Sequence, residues 1–214
     1  MTKKTILHLH GFASSCHSAK ALYLRERLAG MSDVEFYAPD FNPTPRDFEF
    51  LTVTGMINRL RQYTLDHNPS NLSISASSLG CLVALHYAQR FGDVKKLLLL
   101  APVLSYSALP FPDELFDQWK KEGSIKVPHF GFKTDLLLRY DFHRDGIAYS
   151  KQVPPPAPVR ILHGKNDAMI PIQNSRDYTG DHPAQVTLVE LDSDHSLLDC
   201  LDVIAGHAAS FLVS

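Results

Sequence analysis

Four short segments of the chain hold residues whose types and order could perform acyl transfer. The first is Leu72-Ser73-Ile74-Ser75-Ala76-Ser77-Ser78-Leu79-Gly80, which leads into an apolar stretch from Cys81. A strand, a tight turn of small residues and a helix form the setting that exposes a serine hydroxyl as a nucleophile, usually as Gly-x-Ser-x-Gly. Here the five residues read Ala76-Ser77-Ser78-Leu79-Gly80. With Ser78 as nucleophile, the two crowded flanking sites fall on Ala76 and Gly80, both small. With Ser77 they fall on Ser75 and Leu79, and leucine is too bulky for a close helix–strand crossing. The pattern therefore selects Ser78. Taken alone, these residues would equally suit a serine-rich turn that caps a helix.

The second segment is His10-Gly11-Phe12-Ala13-Ser14-Ser15, directly after the apolar run Thr5–His10. A glycine there lets the backbone turn so that an amide faces a substrate oxygen. The candidate oxyanion-hole donors are the N–H groups of Phe12 and of Leu79, the residue after the nucleophile. The third is Val159-Arg160-Ile161-Leu162-His163-Gly164-Lys165-Asn166-Asp167, in which Asp167 follows a buried strand and is the candidate acid. The loop after the preceding strand, Ala101-Pro102-Val103-Leu104, offers no carboxylate. The fourth, Asp192-Ser193-Asp194-His195, places His195 as the candidate base between the last strand and the last helix. Asp192 and Asp194 are rivals for the acid, but neighbours on one loop rarely aim at the same imidazole nitrogen. The order Ser78, Asp167, His195 is one in which such triads occur.

The elements that must position these residues can be read from periodicity. Short apolar runs alternate with longer amphipathic segments, the mark of a parallel sheet covered on both faces. Expected strands are Thr5–His10, Val34–Ala38, Leu72–Ala76, Lys96–Ala101, Val159–His163 and Val186–Leu191. Expected helices are Ser18–Ala29, Phe48–Leu65, Leu79–Phe91 and Leu197–Val213. All four chemical segments then fall at the C-terminal ends of parallel strands, where open α/β sheets build their sites. The stretch 102–158 breaks the rhythm and is rich in aromatics, among them Tyr106, Phe111, Trp119, Phe130 and Phe142. Such a long connection is either a lid over a site or a helical excursion packed on the sheet. With four site segments on the page, a lid-like insertion is the expectation.

On these residues the chain resembles the α/β-hydrolase superfamily, and within it the small YqiA-type bacterial esterases. Leu9-His10-Gly11-Phe12 with Ser18-Ala19-Lys20-Ala21 looks like the opening of that group, and Ser77-Ser78-Leu79-Gly80 looks like its elbow. His163-Gly164-Lys165-Asn166-Asp167 and Ser193-Asp194-His195 resemble its acid and base loops. The departure is Ala76 for the elbow glycine. The acid and base loops are also similar to those of small acyl-protein thioesterases, so the resemblance implies an ester or thioester substrate.

Composition bounds the rest. With 21 basic and 23 acidic residues, a net charge of −2 gives no pull toward nucleic acid or an anionic membrane. The 214 residues fit a single domain spanning 1–214. Cys16, Cys81 and Cys200 match no metal or haem spacing and read as reduced thiols of a cytoplasmic protein. His8, His10 and His163 lack a further ligand at metal spacing, so no metal and no cofactor is expected. No run is long and apolar enough for a membrane span. The expected function is a serine carboxylesterase acting on a small-molecule substrate. The alternatives are a thioesterase, or a binding protein on the same fold with little turnover. The aromatic insertion suggests an apolar acyl or aryl group, with Arg139 or Arg144 as a partner for an anionic one.

Overall fold

The computed structural model describes residues 3–214. In chain order its elements are β1 (Lys4–Leu9), α1 (Ala19–Leu28), β2 (Val34–Tyr37), α2 (Pro45–Glu49), α3 (Val53–His67), β3 (Leu72–Ser77), α4 (Leu79–Phe91), β4 (Leu97–Leu100), α5 (Asp113–Glu122), β5 (Ser124–His129), β6 (Thr134–Arg139), α6 (Asp141–Gly146), β7 (Val159–Gly164), α7 (Gln173–Asp181), β8 (Val186–Leu191) and α8 (Leu201–His207). Six strands form a sheet in the order β2-β1-β3-β4-β7-β8, and every neighbouring pair is parallel.

The sequence of β4 shows why both faces are covered. Its four leucines are all fully buried and divide by alternation. Leu97 and Leu99 join Met56, Ile57 and Leu60 of α3, whereas Leu98 and Leu100 join Leu24 of α1 and Ile204 of α8. A strand between two helical layers needs no polar alternation, which is why the run reads as continuous leucine.

All six expected strands form, within two residues of the expected ends. The expected helix Phe48–Leu65 does not run through. α2 opens on a reciprocal cap in which Thr44 and Asp47 bond each other's backbone, and it closes at Phe50. α3 then starts afresh because the Thr52 hydroxyl accepts the Gly55 N–H at 2.9 Å. The last expected helix is likewise divided into a 3-10 turn (Leu198–Cys200), α8 and a π turn (Ala208–Leu212), although Ala208 and Leu212 keep the buried face.

The stretch 102–158 is helical in α5 and α6, and between them β5 and β6 pair as an antiparallel hairpin. The sequence hides this hairpin because Pro128 lies within β5, where proline argues against a strand. Most insertion aromatics pack into the core. Trp119 and Phe142 are fully buried, and the Trp119 indole donates to the Leu138 carbonyl at 2.9 Å. Asp145, in α6, ties the insertion to the start of α3 by accepting from the Thr54 N–H at 2.8 Å and its hydroxyl at 2.5 Å. No helix among the described residues is long and apolar enough to cross a membrane.

A close crossing lies at Gly80, where an added Cβ would lie 2.6 Å from the Leu9 carbonyl oxygen and 2.7 Å from that of His10. Both are backbone atoms at the end of a central strand and cannot turn aside. Gly80→Ala is therefore expected to lower stability by about 2–4 kcal/mol, read as a fall in the urea midpoint at unchanged slope.

Candidate active site

After β1 the chain moves outward to β2 and then returns to the other side of β1 to form β3. That reversal opens a crevice beyond the C-terminal ends of β1 and β3. Ser78 sits there, immediately after β3, with φ 51° and ψ −120°. A left-handed backbone at a non-glycine residue is strained and needs to be held. Here Ser78 N–H donates to the Leu100 carbonyl at 2.9 Å, and the Ser78 carbonyl accepts from Val103 at 3.2 Å and Cys81 at 2.9 Å. Ser77 stays within β3. Ala76 is fully buried in the core cluster that holds Leu9 and Leu99, so its methyl is packed, not crowded.

The β1–α1 connection passes over this turn. An added Cβ on Gly11 would lie 3.1 Å from Ser78 Cβ and 3.8 Å from its hydroxyl oxygen. Phe12, the next residue, lines the same cleft as Ser78. Leu79 is the first residue of α4, and its N–H belongs to a turn without intrahelical acceptors.

From the far strands come the imidazole and the carboxylate. His195, after β8, places Nε2 3.1 Å from Ser78 Oγ, and its Nδ1–H donates to Asp167 Oδ2 at 2.7 Å. Asp192 and Asp194 stay out of this line. Asp192 accepts from Asn166, and Asp194 Oδ1 accepts from the N–H and hydroxyl of Ser196.

Asp167 carries more partners than its sequence position announced. The Met169 and Ile170 amides donate to Oδ1 at 2.9 and 2.8 Å. A second imidazole, that of His163, reaches Oδ2 at 3.0 Å. Its Nε2 also faces the Ile170 carbonyl at 3.0 Å, so both neighbours are acceptors and this nitrogen carries the proton. Nδ1 is 2.8 Å from the Ser175 hydroxyl of α7, which can donate to it. Sequence analysis weighs His163 on its own only as a metal ligand, and its strand-end position just before Asp167 is the available signal. Burial acting alone would raise the Asp167 pKa, but the donors from His163, His195 and Ile170 outweigh it and hold the carboxyl well below the usual range.

The other titratable groups singled out from sequence lie elsewhere. His8 faces the α1/α8 side, bonded to Ser75 at 3.1 Å, and burial pushes its pKa down to about 3. Cys81 lies inside α4, fully buried, and burial raises its thiol pKa. Arg139 pairs with Glu49 and Asp141, and Arg144 with Asp141. Neither arginine lines the site, so the expected anion partners are not there. The lysines that do line it are Lys20 and Lys133.

A cleft of about 1040 Å³ opens over Ser78 and His195. One wall is apolar, built from Leu109, Pro110 and Phe111 of the insertion with Met169 and Ile170. The other is polar and comes from the β1–α1 connection, with Ser14, Ser15 and Ser18, and from Lys20 at the start of α1. Lys20 Nζ donates to the Ser196 carbonyl at 2.6 Å, tying α1 to the loop that carries His195.

Comparison with known proteins agrees with this architecture. The sequence model of the Uncharacterised protein family (UPF0227) matches residues 5–211. Among solved structures, mouse alpha/beta hydrolase domain-containing protein 10 superposes with a TM-score of 0.78 at 18% identity, covering 100% of this chain and 92% of that one. Est1E from Butyrivibrio proteoclasticus with ferulic acid bound gives 0.78 at 17%, covering 99% and 89%. A monoacylglycerol lipase from Paleococcus ferrophilus gives 0.73 at 16%, covering 96% of each. The fold is that of the α/β hydrolases.

The depressed Asp167 pKa has a measurable sign. A carboxyl whose folded pKa lies below its unfolded value of about 3.9 contributes stability above that value and loses it as pH falls toward the folded pKa. The stability gap between wild type and Asp167→Asn, followed by chemical denaturation, is expected to be widest above about pH 5 and to narrow on acidification.

Proposed function

We propose that this chain, which belongs to the uncharacterised protein family UPF0227, is a serine hydrolase that cleaves carboxylic esters through an acyl-enzyme. The observation that carries the reading is the continuous line from Ser78 Oγ to His195 Nε2 at 3.1 Å and from His195 Nδ1 to Asp167 Oδ2 at 2.7 Å. It begins at a serine held at φ 51° and facing a cleft. In this reading His195 Nε2 takes the hydroxyl proton as Ser78 Oγ attacks the ester carbonyl. Asp167 holds the imidazole in the tautomer with Nε2 free and stabilises the imidazolium that forms. The oxyanion is received by the N–H groups of Phe12 and Leu79, each such donor contributing roughly 3 kcal/mol to the barrier reduction. His195 returns its proton to the leaving oxygen, and a water repeats the sequence to release the acid.

The apolar wall of Leu109, Pro110, Phe111 and Ile170 suits the acyl or aryl part of a small-molecule substrate. Thioesters are open to the same chemistry, and paired ester and thioester substrates of increasing acyl length would rank them. A fluorophosphonate probe separates an enzyme from a hydrolase-fold binding protein, because only an activated serine is phosphonylated.

Ser78→Ala removes one oxygen from a solvated cleft and should leave the melting temperature within a few degrees. It is expected to abolish probe labelling and to lower kcat/KM for p-nitrophenyl esters by roughly 10⁴-fold or more. Wild-type turnover by folded Ser78→Ala protein would end this reading.

A further inference from the structure

The hairpin in the middle of the insertion makes contacts that a swinging lid would not. Its tip reaches back to the loop after β1, and nearly every residue of that loop is gripped from outside. The Phe130 N–H donates to the Ala13 carbonyl at 2.9 Å. Ala13 is itself strained at φ 51° and is 2% exposed. Asn42 Nδ2 donates to the Ser14 carbonyl at 2.9 Å and lies 3.2 Å from Nε2 of His129, the last residue of β5. Gly131 packs so closely on Ser15 that a Cβ would lie 3.1 Å from Ser15 Cβ. Asn42 and His129 are each 1% exposed, so this junction is closed to water.

From the other side, Asp40 accepts the Asn42 N–H at 3.0 Å and the Cys16 N–H at 3.4 Å, and it sits 3.2 Å from His10 Nε2. The Phe12 ring is packed among Phe48, Phe111 and Phe142, at centroid distances of 5.7, 5.9 and 5.3 Å. Two of those three rings come from the insertion.

We infer that the β5–β6 hairpin is a fixed brace for the oxyanion loop, and that His129 and Asn42 are positioning residues that set the direction of the Phe12 amide. The inference rests on the proposed Ser78 chemistry and deepens it. A donor aimed at a developing oxyanion works only if it is already in place, and a misplacement of about 1 Å can cost roughly 10²-fold. The strained Ala13 directly follows the donor residue. Its carbonyl is held by the hairpin and the next one by Asn42, so the loop's backbone cannot relax while the brace is seated. An insertion serving this role stays put during turnover, and the cleft opens beside it.

The test compares His129→Leu, His129→Gln, Asn42→Ala and Gly131→Val in the full chain. Kinetics with a p-nitrophenyl ester are set beside the affinity of a trifluoromethyl ketone, whose tetrahedral adduct with Ser78 presents an oxyanion. His129→Leu, Asn42→Ala and Gly131→Val should lower kcat by roughly 10–100-fold with KM within about threefold. Ketone affinity should fall in parallel, because the adduct needs the same donor. His129→Gln, whose amide oxygen can accept from Asn42 Nδ2 in place of the imidazole nitrogen, should recover most of both. Gly131 is exposed at the hairpin tip, so its valine variant keeps the test available if a buried substitution prevents folding.

Folded variants with wild-type kcat and ketone affinity would overturn the brace. So would a raised KM at unchanged kcat, the result expected of a lid that governs entry. Ser78→Ala, run alongside, keeps the two levels apart. If it is inactive while the brace variants behave as wild type, only the brace fails; if it is active, the hydrolase reading fails first.

Discussion

The site depends on how closely helix α4 can approach the end of β1. At Gly80 the helix backbone lies against the Leu9 and His10 carbonyls with no space for a side chain. That contact fixes where α4 begins, and the chain must turn sharply out of β3 to reach it. The left-handed backbone of Ser78 is the result, and it pushes the hydroxyl out over the sheet edge. The same approach brings Gly11 against Ser78. One steric limit thus brings the Ser78 hydroxyl together with the β1–α1 connection. The larger first-glycine position of the usual pattern is less demanding, since the Ala76 side chain points into the core and not into a neighbouring backbone.

At the other end of the line, a carboxylate with no exposed side-chain surface has to be stabilised by its surroundings. Asp167 has two backbone amides on one oxygen and two imidazoles on the other. The shared oxygen is a compromise. A second donor fixes the carboxylate's orientation, but it also draws on the electron density that would stabilise His195 as an imidazolium. Ser175 makes the arrangement consistent by offering its hydroxyl to the far nitrogen of His163, which suits the tautomer that donates to Asp167.

Much of this was legible in the chain, and what was not has physical reasons. The strands were readable because runs such as the four leucines of β4 are buried on both faces and so are apolar without interruption. Ser78 could be chosen over Ser77 because volume at the flanking sites discriminates. The division of 48–65 into two helices was missed because a single threonine cap at Thr52 overrides an amphipathic pattern that continues across it. The hairpin was missed because Pro128 stands in one of its strands. The junction of Asn42 with His129 was invisible for another reason. The two lie 87 residues apart, and only the fold says which distant residues meet. The aromatics of 102–158 suggest an apolar site by composition, yet most are core; an aromatic count does not reveal which side of a layer a ring faces.

The β1–α1 connection carries a further consequence, for how this chain can vary. Gly11 lies against Ser78, Ser14 and Ser18 line the cleft, and Lys20, at the start of α1, bonds the loop that bears His195. Connections between elements ordinarily absorb added or lost residues with little effect. This one is pinned at both ends and along its middle, so a change of one residue in its length would displace the backbone beside Ser78 or the loop that bears His195. Variation in length should instead collect where the fold is slack, as in the mostly exposed turn at 181–185, and the span 11–18 should keep its length even where its side chains change.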